Sequence, residues 1–579
     1  MAVKPSNQSI GELLREIGEY LAMQEVPFKP RAYGKAAEAI EGLEDGVADA
    51  YARGGIAALK NIPGVGASIA ETIEEFIKTG RVKYHEELKK KTPVDLEGLS
   101  RVEGLGPKSI QKLYKELRVR NLDDLEKTAK AGKIAKLEGF GAKSEEKILK
   151  GIAFAKKAGG RVVLGHIMPR VREIEAGIAK VPGVEKAIAA GSVRRRKETV
   201  GDVDILAVSA KPGIVMDHFV AMPEVMSVIA KGETKSSIKI KPGINVDLRV
   251  VPKESYGAAL NYFTGSKDHN VAIRKIAVAK GWKLNEYGLF SVKGGKEVRM
   301  AGKSEEELYA KFGLDYIEPE LRENTGEIEA ARAHRLPKLI GYNDLQGDLQ
   351  VQTSWTDGAD SIEVMARAAM ARGLKYIVIT DHTKRLAMTH GLDEHRIKEQ
   401  WKEIDRVNKK LGGAVAILKG SECDILKDGS LDLPDEILSQ LDVVGVSVHS
   451  YFNLPRAEQT ARIKRAMANP HVDILFHPTG RIINRREAYD IDMEAIIMHA
   501  KETGTVLEID AYPDRSDLKD DHIRLCVAAG VKMSIDSDAH SWTHFPYLEY
   551  GIAQARRGWA EKKDIVNAWP AEKMLTFLK

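Results

Sequence analysis

Cysteine is scarce in this 579-residue chain, which has only Cys423 and Cys526. Two thiols argue against a disulfide framework, so hydrophobic cores must hold the fold. Long apolar runs are also missing. Without a stretch of about 18 apolar residues or the apolar segment of a signal peptide, we expect a cytoplasmic protein with no membrane partner. No strong charge excess occurs either, because the net charge is +5 and the pI is near 8.7. This balance permits nucleic-acid binding without requiring it.

The spacing of apolar residues changes twice along the chain. Residues up to about 160 have apolar positions at helical spacing, as in "IGELLREIGEYLAM". From Arg161, short β-rich runs lie between glycines and prolines, and after Leu345 apolar strands alternate with amphipathic helices. We therefore predict a multidomain α+β protein with an all-α first part, a mixed middle part and a C-terminal α/β barrel or parallel sheet.

One glycine motif occurs three times in the helical part, as "IPGVGAS", "VEGLGPKS" and "LEGFGAKS". Paired glycines permit a tight turn that aims backbone N–H groups outward, and the following helix N-terminus favours an anion. Such a hairpin suits a DNA phosphate and carries no sequence information. The alternative is three ordinary connections between helices. The residues that we expect to contact DNA here are Gly64, Gly66, Gly104, Gly106, Lys108, Gly139 and Gly141.

Two closely spaced aspartates lie in "GSVRRRKETVGDVDIL". Asp202 and Asp204 are two residues apart on a predicted strand, so their carboxylates point to the same side. Asp247, in "INVDLRVV", lies on another predicted strand. Three carboxylates on adjacent strands can hold two Mg²⁺ about 4 Å apart, an arrangement that activates a 3′-hydroxyl and grips a triphosphate. A solvated strand end is the alternative.

The residues before these aspartates suit a phosphate. Gly191 and Ser192 allow close approach, and Arg194 and Arg195 supply positive charge. With "YFTGSKDHNVAIR" and "GWKLNEYGLF" further on, the chain resembles bacterial-type family X DNA polymerases that carry a C-terminal PHP (polymerase and histidinol phosphatase) domain. The resemblance covers nearly the whole chain, and its palm motif is Gly-Ser-x-Arg-Arg followed by Gly-Asp-x-Asp.

The resemblance implies roles for individual residues. Asp202, Asp204 and Asp247 would hold the catalytic Mg²⁺ or Mn²⁺. The nucleotide-binding residues that it implies are Gly191, Ser192, Arg195, Gly201, Tyr262, Phe263, Gly265 and Asn270. Further DNA contacts are implied for Lys35, Lys60, Arg249 and Arg274.

The same resemblance implies a division into domains. In chain order, these are a helical DNA-end-binding domain (1–80), a fingers-type helix-hairpin-helix domain (81–158), a nucleotidyltransferase palm (159–252), a nucleotide-binding thumb (253–318), a linker (319–340) and a PHP domain (341–579). The linker is predicted because its sequence is polar and contains two prolines.

Histidines concentrate in the C-terminal part, where ten of the 15 lie beyond residue 340. Many stand beside acids at the ends of predicted strands, where an α/β barrel places its active site. Imidazoles and carboxylates suit Mn²⁺ or Zn²⁺. Any single histidine has an alternative role as a hydrogen-bonded loop residue. The PHP resemblance implies as metal ligands Asp357, His382, Glu422, His449, His477, Asp538 and His540.

The resemblance groups these ligands into three metal sites. One uses Glu422, His449 and His477, and another uses Asp357, His382 and His540. The third would use Glu422, Asp538 and a His-x-His at 350 and 352. This chain has glutamines at both positions, and an amide is a poorer ligand than imidazole for a transition metal. We therefore expect the third site to be empty or weakly filled. Arg481 and Arg485 are candidates for a phosphate contact.

The predicted function is that of a template-directed DNA polymerase of the gap-filling repair type. Its PHP domain would be a metal-dependent 3′→5′ exonuclease or phosphoesterase weakened by Gln350 and Gln352. We expect a monomer that acts on gapped or primer–template DNA with dNTPs. Two alternatives are a non-catalytic DNA-end-binding protein and a PHP phosphoesterase with a vestigial polymerase.

A 5′-deoxyribose-phosphate lyase, present in many family X enzymes, is not expected here. Thr72 stands where the family has the lysine that forms the Schiff base, and a hydroxyl cannot form an imine. Borohydride trapping on DNA with a 5′-deoxyribose phosphate should therefore give little covalent adduct. A strong adduct would show that another lysine, such as Lys78 or Lys83, does this chemistry.

Overall fold

The computed structural model describes residues 5–43, 45–157, 159–293 and 296–579. It has two compact units. The first contains residues up to 161 with the short segments 221–225 and 484–486, and the second contains the rest. Among the described helices, none combines the length and the apolar character that a bilayer crossing requires.

The first unit is helical. Its helices are α1 (Asn7–Met23), α2 (Lys29–Glu41), α3 (Val47–Lys60), α4 (Ala67–Thr79), α5 (Lys83–Lys91), α6 (Leu96–Ser100), α7 (Pro107–Leu117), α8 (Leu122–Lys130) and α9 (Ala142–Lys157). Their apolar faces meet in one core that includes Leu14, Ile73 and Ile152. Side-chain caps at Ser6 and Asn121 accept hydrogen bonds from the first turns of α1 and α8.

The three glycine hairpins connect helices of this unit. The first glycine of each pair has a positive φ, of 80° at Gly64, 84° at Gly104 and 81° at Gly139. L-residues with a side chain rarely adopt this conformation, so the turn requires glycine. Gly66 and Gly106 then occupy the positions just before α4 and α7. The predicted order of glycine pair and helix is confirmed.

The second unit begins with a five-stranded sheet. The elements of this part are β1 (Val162–Val163), α10 (Leu164–Ala179), β2 (Val184–Ala189), α11 (Gly191–Arg194), β3 (Thr199–Val200), β4 (Asp202–Ser209), α12 (Pro212–Val220), β5 (Val225–Lys231), β6 (Lys235–Ile240) and β7 (Ile244–Val251). The strand order is β2-β4-β7-β6-β5, and β4 and β7 are parallel. Because both strands begin at the same edge, their first residues come together.

A helical region with a small antiparallel sheet follows. It contains α13 (Tyr256–Thr264), α14 (Lys267–Ala279), β8 (Trp282–Asn285), β9 (Gly288–Lys293), β10 (Lys296–Ala301), α15 (Glu305–Phe312) and α16 (Glu327–Arg332). Residues 319–340, for which we predicted a linker, contain α16 and a 3₁₀ turn at Pro319–Leu321. Arg322 and Glu327 are fully buried in this segment, so the predicted linker packs against its neighbours.

The C-terminal part is a nearly closed barrel of seven parallel strands in chain order. The strands are β11 (Gly347–Val351), β12 (Tyr376–Ile379), β13 (Ala416–Asp424), β14 (Val443–Ser447), β15 (Ile474–Leu475), β16 (Val506–Asp510) and β17 (Met533–Asp536). Its helices are α17 (Ile362–Ala371), α18 (Glu394–Leu411), α19 (Asp435–Leu438), α20 (Arg456–Met467), α21 (Met493–Thr503), α22 (Asp520–Ala529), α23 (Leu548–Arg557) and α24 (Ala571–Leu578).

The first and last strands of the barrel meet through a few polar contacts. The backbone N–H of Gln352 donates to the carbonyl of Ala539 at 2.9 Å. The N–H of Leu349 donates to the Asp536 carboxylate, and Asp348 accepts from the N–H of Ser537. Buried acids therefore complete the closure. The predicted progression from an all-α part through a mixed part to a parallel barrel is confirmed.

Candidate active sites

The three aspartates of the five-stranded sheet meet at the shared edge of β4 and β7. The register pairs Asp204 with Asp247, and Asp202 stands two residues before Asp204 on the same side. Gly191, with φ 57°, faces them, and a Cβ there would lie 2.5 Å from Asp204 Oδ2. Only glycine fits so close to the carboxylate. The structure thus brings together the aspartates that the sequence predicted.

Burial and mutual repulsion both act on the charges of this carboxylate cluster. Burial, with further contributions from Asp202 and Asp247, raises the pKa of Asp204 to about 6. Lys235 lies 2.8 Å from Asp247 Oδ2 and supplies one compensating charge. Oxygen ligands with excess negative charge fit Mg²⁺ or Mn²⁺. A divalent cation would stabilise the charged carboxylates against both burial and mutual repulsion.

The two arginines that precede the cluster have different partners. Arg194 makes a bidentate pair with Glu305, with distances of 3.0 and 2.6 Å. Arg322, fully buried, donates to the same carboxylate. Although burial favours the neutral acid, Arg322 and Arg194 lower the pKa of Glu305 to about 2. We expected Arg194 to bind a phosphate, but its guanidinium is paired with Glu305 within the protein.

Arg195 has a different environment. Its Nε donates to Glu323 Oε1 at 3.0 Å, and its Nη1 donates to the carbonyl oxygen of Thr264. Gly265 follows Thr264 with φ 61°, and a Cβ there would lie 3.5 Å from Arg195 Nη1. The positive charge of Arg195 also acts on the carboxylate cluster, where it opposes the rise in the pKa of Asp204.

The predicted base and sugar contacts lie on α13 and α14. Asn270 Nδ2 donates to the carbonyl of Tyr262 at 2.7 Å, and the Arg274 Nε donates to the Asn270 carbonyl. The rings of Tyr262 and Phe263 meet edge to face at 5.1 Å. Arg249 lies over the Phe263 ring, 4.8 Å from its centre. Tyr262 keeps an exposed face that a nucleotide can contact.

A buried polar network that sequence reasoning missed supports α14. His269 Nδ1 lies 2.7 Å from Glu327 Oε1, and its Nε2 lies 2.9 Å from the Tyr309 hydroxyl. Burial lowers the pKa of His269 below its usual value despite the carboxylate. No local sequence signal joins residues 269, 309 and 327, because they are distant along the chain.

In the first unit, Thr72 is buried and hydrogen-bonded. Its hydroxyl donates to the Ser68 carbonyl at 2.9 Å and lies 3.4 Å from the Tyr33 hydroxyl. The position is thus occupied by a packed side chain between α2 and α4. Lys60 and Lys108, predicted to bind phosphate, are exposed on the same unit. Lys108 lies 3.4 Å from Glu25, an exposed pair that contributes little stability.

Glu422 is the centre of the barrel site. Its Oε1 lies 2.9 Å from His477 Nε2 and 3.1 Å from His449 Nε2, and its Oε2 lies 3.4 Å from His382 Nδ1. Burial alone would raise the pKa of Glu422, but His382, His449 and His477 hold it well below its usual range. The structure brings these four predicted ligands together.

A second group shares His382. Its Nε2 lies 3.6 Å from Asp357 Oδ2, and His540 Nε2 lies 3.7 Å from the same oxygen. The sets Asp357–His382–His540 and His382–Glu422–His449 each have ligand atoms close enough to hold a metal ion. Mixed imidazole and carboxylate sets of this kind fit Mn²⁺ or Zn²⁺.

The predicted third set has a different geometry. Gln352 Nε2 donates to Glu422 Oε2 at 2.8 Å, so its amide acts as a donor. Gln350 is fully buried, and its amide has no hydrogen-bond partner within the described ranges. Arg515, which sequence reasoning missed, has its Nε 3.5 Å from Asp538 Oδ2 and 3.3 Å from Asp510 Oδ2. A metal ion at Asp538 would face this positive charge, so the residues do not fit a third metal well.

Arg481, a candidate for phosphate binding, is nearly buried. Its Nη2 donates to Glu198 at 2.6 Å and also to the Ser516 carbonyl. Glu198 lies just before β3, which pairs with β1 in a two-stranded sheet, so this contact joins the barrel to that sheet. Little of the Arg481 charge remains for a substrate.

The fold and its two acidic centres are those of a nucleotidyltransferase joined to a metal-dependent phosphoesterase. Residues 259–323 match the DNA polymerase beta thumb, residues 5–82 match a helix-hairpin-helix domain, and residues 95–153 match a SAM-like helix-hairpin-helix tandem. The protein named "DNA polymerase/3′-5′ exonuclease PolX" from Bacillus subtilis (strain 168) is 38% identical over 575 residues, 99% of each chain. The chain belongs to the family X DNA polymerases, as predicted.

Probable phosphatases match the C-terminal part of the chain. A probable phosphatase from Thermoanaerobacter sp. (strain X514) is 35% identical over 185 residues, which are 30% of this chain and 70% of the relative. A probable phosphatase from Caldanaerobacter subterraneus subsp. tengcongensis is 32% identical over 185 residues. These matches confirm the predicted PHP character of the C-terminal part.

The raised pKa of Asp204 predicts a pH-dependent stability. Its folded value of about 6 exceeds the ordinary 3.8, so the folded state binds the proton more tightly. The stabilising contribution is present below pH 4 and is lost as the pH rises through 6. In metal-free protein, Asp204→Asn should raise the free energy of unfolding by about 2 kcal/mol at pH 8 and change it little at pH 4.

Urea unfolding in a chelator, followed by tryptophan fluorescence, measures this effect. All six tryptophans lie in the second unit, so the signal reports that unit. The exposed Asp202 offers a matched control, since Asp202→Asn should give a smaller gain. Equal stability of the Asp204 variant and the wild type at pH 8 would contradict a raised pKa for Asp204.

The glutamines generate another prediction. The double change Gln350→His with Gln352→His should raise the number of Mn²⁺ ions bound per chain and increase 3′ digestion, because imidazoles are the better ligands. Metal analysis after dialysis and digestion of a labelled primer measure the two effects. Primer extension should be unchanged. A wild type that already binds three barrel ions and digests vigorously, with no gain from the histidines, would show that glutamine is a working ligand.

Proposed function

We propose that this protein is a template-directed DNA polymerase that fills short gaps. The observation that carries the proposal is the parallel register of β4 and β7, which sets Asp204 beside Asp247 with Asp202 at the same edge. The B. subtilis relative, whose name includes DNA polymerase, matches across the whole chain.

The palm residues divide the work of nucleotide addition. Asp202, Asp204 and Asp247 would hold divalent metal, Mg²⁺ or Mn²⁺. Such metal, when bound, would supply activation of the primer 3′-hydroxyl and charge stabilisation of the leaving pyrophosphate. Gly191 leaves room for a phosphate beside these carboxylates. Arg195, held by Glu323 and Thr264, binds the dNTP triphosphate.

The remaining substrate contacts come from α13, α14 and the glycine hairpins. Tyr262 and Phe263 contact the sugar, and Asn270 reads the minor-groove edge of the incoming base. The hairpin N–H groups bind DNA phosphates, which positions the duplex without reading its sequence. Gapped DNA, primer–template DNA and dNTPs are therefore the proposed substrates.

A second activity is proposed for the barrel, because the B. subtilis relative is also named as a 3′-5′ exonuclease. The observation that favours it is the pair of ligand sets that share His382. Mn²⁺ or Zn²⁺ in these sets would polarise a phosphodiester and supply a metal-activated water. Arg515 at Asp538 and the donor role of Gln352 favour a two-metal site. We propose that digestion is slow relative to synthesis.

Separate variants test the two activities. Asp204→Ala should lower single-nucleotide incorporation on gapped DNA by roughly a thousandfold, the equivalent of about 4 kcal/mol, while 3′ digestion continues. His449→Ala should lower digestion and leave incorporation unchanged. Primer extension and 3′ digestion on the same substrate, with Mg²⁺ and Mn²⁺ compared, measure both rates. Substantial incorporation by the Asp204 variant would reject the palm site.

A further inference from the structure

On the basis of the polymerase function proposed above, we propose that Arg557 of the barrel is a positioning residue for Arg195 of the palm. Arg557 is the last residue of α23, and only 3% of its side chain is exposed. Its guanidinium reaches out of the barrel to the segment that carries Arg195. The barrel would thus take part in nucleotide binding without touching the nucleotide.

The contacts hold Arg195 at both its backbone and its side chain. Arg557 Nη1 donates to the carbonyl oxygen of Arg195 at 2.9 Å. The same Nη1 lies 3.2 Å from Glu323 Oε1, the oxygen that accepts from Arg195 Nε at 3.0 Å. One carboxylate oxygen therefore joins the two arginines. Hydrogen bonds of this charged kind are stronger than neutral ones.

The barrel in turn holds Arg557. Its Nη2 donates to Asp520 Oδ2 at 2.5 Å, and Asp520 begins α22. Arg557 lowers the pKa of Asp520 against the effect of burial. Because both Nη atoms of Arg557 are hydrogen-bonded, its guanidinium is held in one orientation. The guanidinium in turn fixes the position of the Glu323 carboxylate.

The charges around Glu323 explain what loss of Arg557 would change. Two guanidiniums, Arg195 and Arg557, face two carboxylates, Glu323 and Asp520. Lys197 adds a third positive charge, with its Nζ 4.0 Å from Glu323 Oε1. Loss of Arg557 leaves Asp520 without its guanidinium partner and Glu323 with one of its two arginines. The Glu323 carboxylate can then rotate. Arg195 loses the hydrogen bond that its backbone carbonyl accepts from Arg557, and its Nε no longer has a fixed acceptor in Glu323. A triphosphate would have to order Arg195 on binding, which weakens binding.

The alternative is that Arg557 only stabilises the contact between barrel and palm, with no effect on nucleotide binding. The chain offers a matched control for it on the same helix. Glu549, also on α23, accepts from Arg172 of the palm helix α10 at 2.5 Å. The Glu549→Gln variant removes an ion pair between the same two parts without altering Arg195 or Glu323.

Single-nucleotide incorporation on gapped DNA with Mg²⁺ tests the proposal. Arg557→Met should raise the KM for dNTP about tenfold, the size expected for one hydrogen bond to a charged group, with little change in kcat. Glu549→Gln should leave KM unchanged. In an Arg195→Met background, Arg557→Met should add no further rise, because its effect passes through Arg195.

Glu323→Gln keeps the size and shape of the side chain between the two arginines. It is the variant to test if the Arg557 variant folds poorly. It should raise KM similarly, again with no further rise in the Arg195→Met background. An unchanged KM in the folded variants, an equal rise in both backgrounds, or the same rise in Glu549→Gln would overturn the proposal. An Arg195→Met variant with normal KM would overturn it too. Absence of incorporation by the wild type would instead defeat the polymerase function itself.

Discussion

The burial of carboxylates that must carry charge is the constraint around which both sites are built. In the palm, Asp202 and Asp247 join burial in raising the pKa of Asp204 to about 6. The parallel pairing of β4 and β7 holds these acids at one edge regardless of their repulsion. The rigid sheet thus maintains an arrangement that a flexible loop would relax, and a divalent cation gains from that arrangement.

In the barrel, imidazoles stabilise the charge of a buried carboxylate. Glu422 is almost fully buried, yet His382, His449 and His477 surround it and keep it ionised. Metal binding there replaces imidazole–carboxylate contacts, while metal binding in the palm relieves direct repulsion. The two centres are therefore expected to differ in metal preference. By ligand chemistry, a set with nitrogen ligands would favour Mn²⁺ or Zn²⁺, and an all-oxygen set would favour Mg²⁺ or Mn²⁺.

Shared carboxylates connect these centres to the rest of the second unit. Glu305 accepts from Arg194 and Arg322, and Glu323 accepts from Arg195 and Arg557. Two guanidinium partners offset the cost of removing each carboxylate from water, and each carboxylate fixes both of its arginines. Neighbouring arginines thereby have different functions. Arg194 stabilises the connection to α15, and the charge of Arg195 acts on the carboxylate cluster.

Local patterns in the sequence determined much of the molecule by themselves. The glycine pairs predicted the hairpins because positive φ at Gly64, Gly104 and Gly139 requires glycine. The spacing of Asp202 and Asp204 placed both carboxylates on one side of a strand, and Thr72 excluded an imine by its chemistry alone.

Only the tertiary structure decided which distant residues meet. It set Asp204 beside Asp247, His269 against Glu327, Arg515 at Asp538 and Arg557 at Arg195. It also packed residues 319–340, where polar composition had predicted a linker. Such contacts depend on strand register and on the closure of long loops, and neither leaves a periodic signal in the sequence.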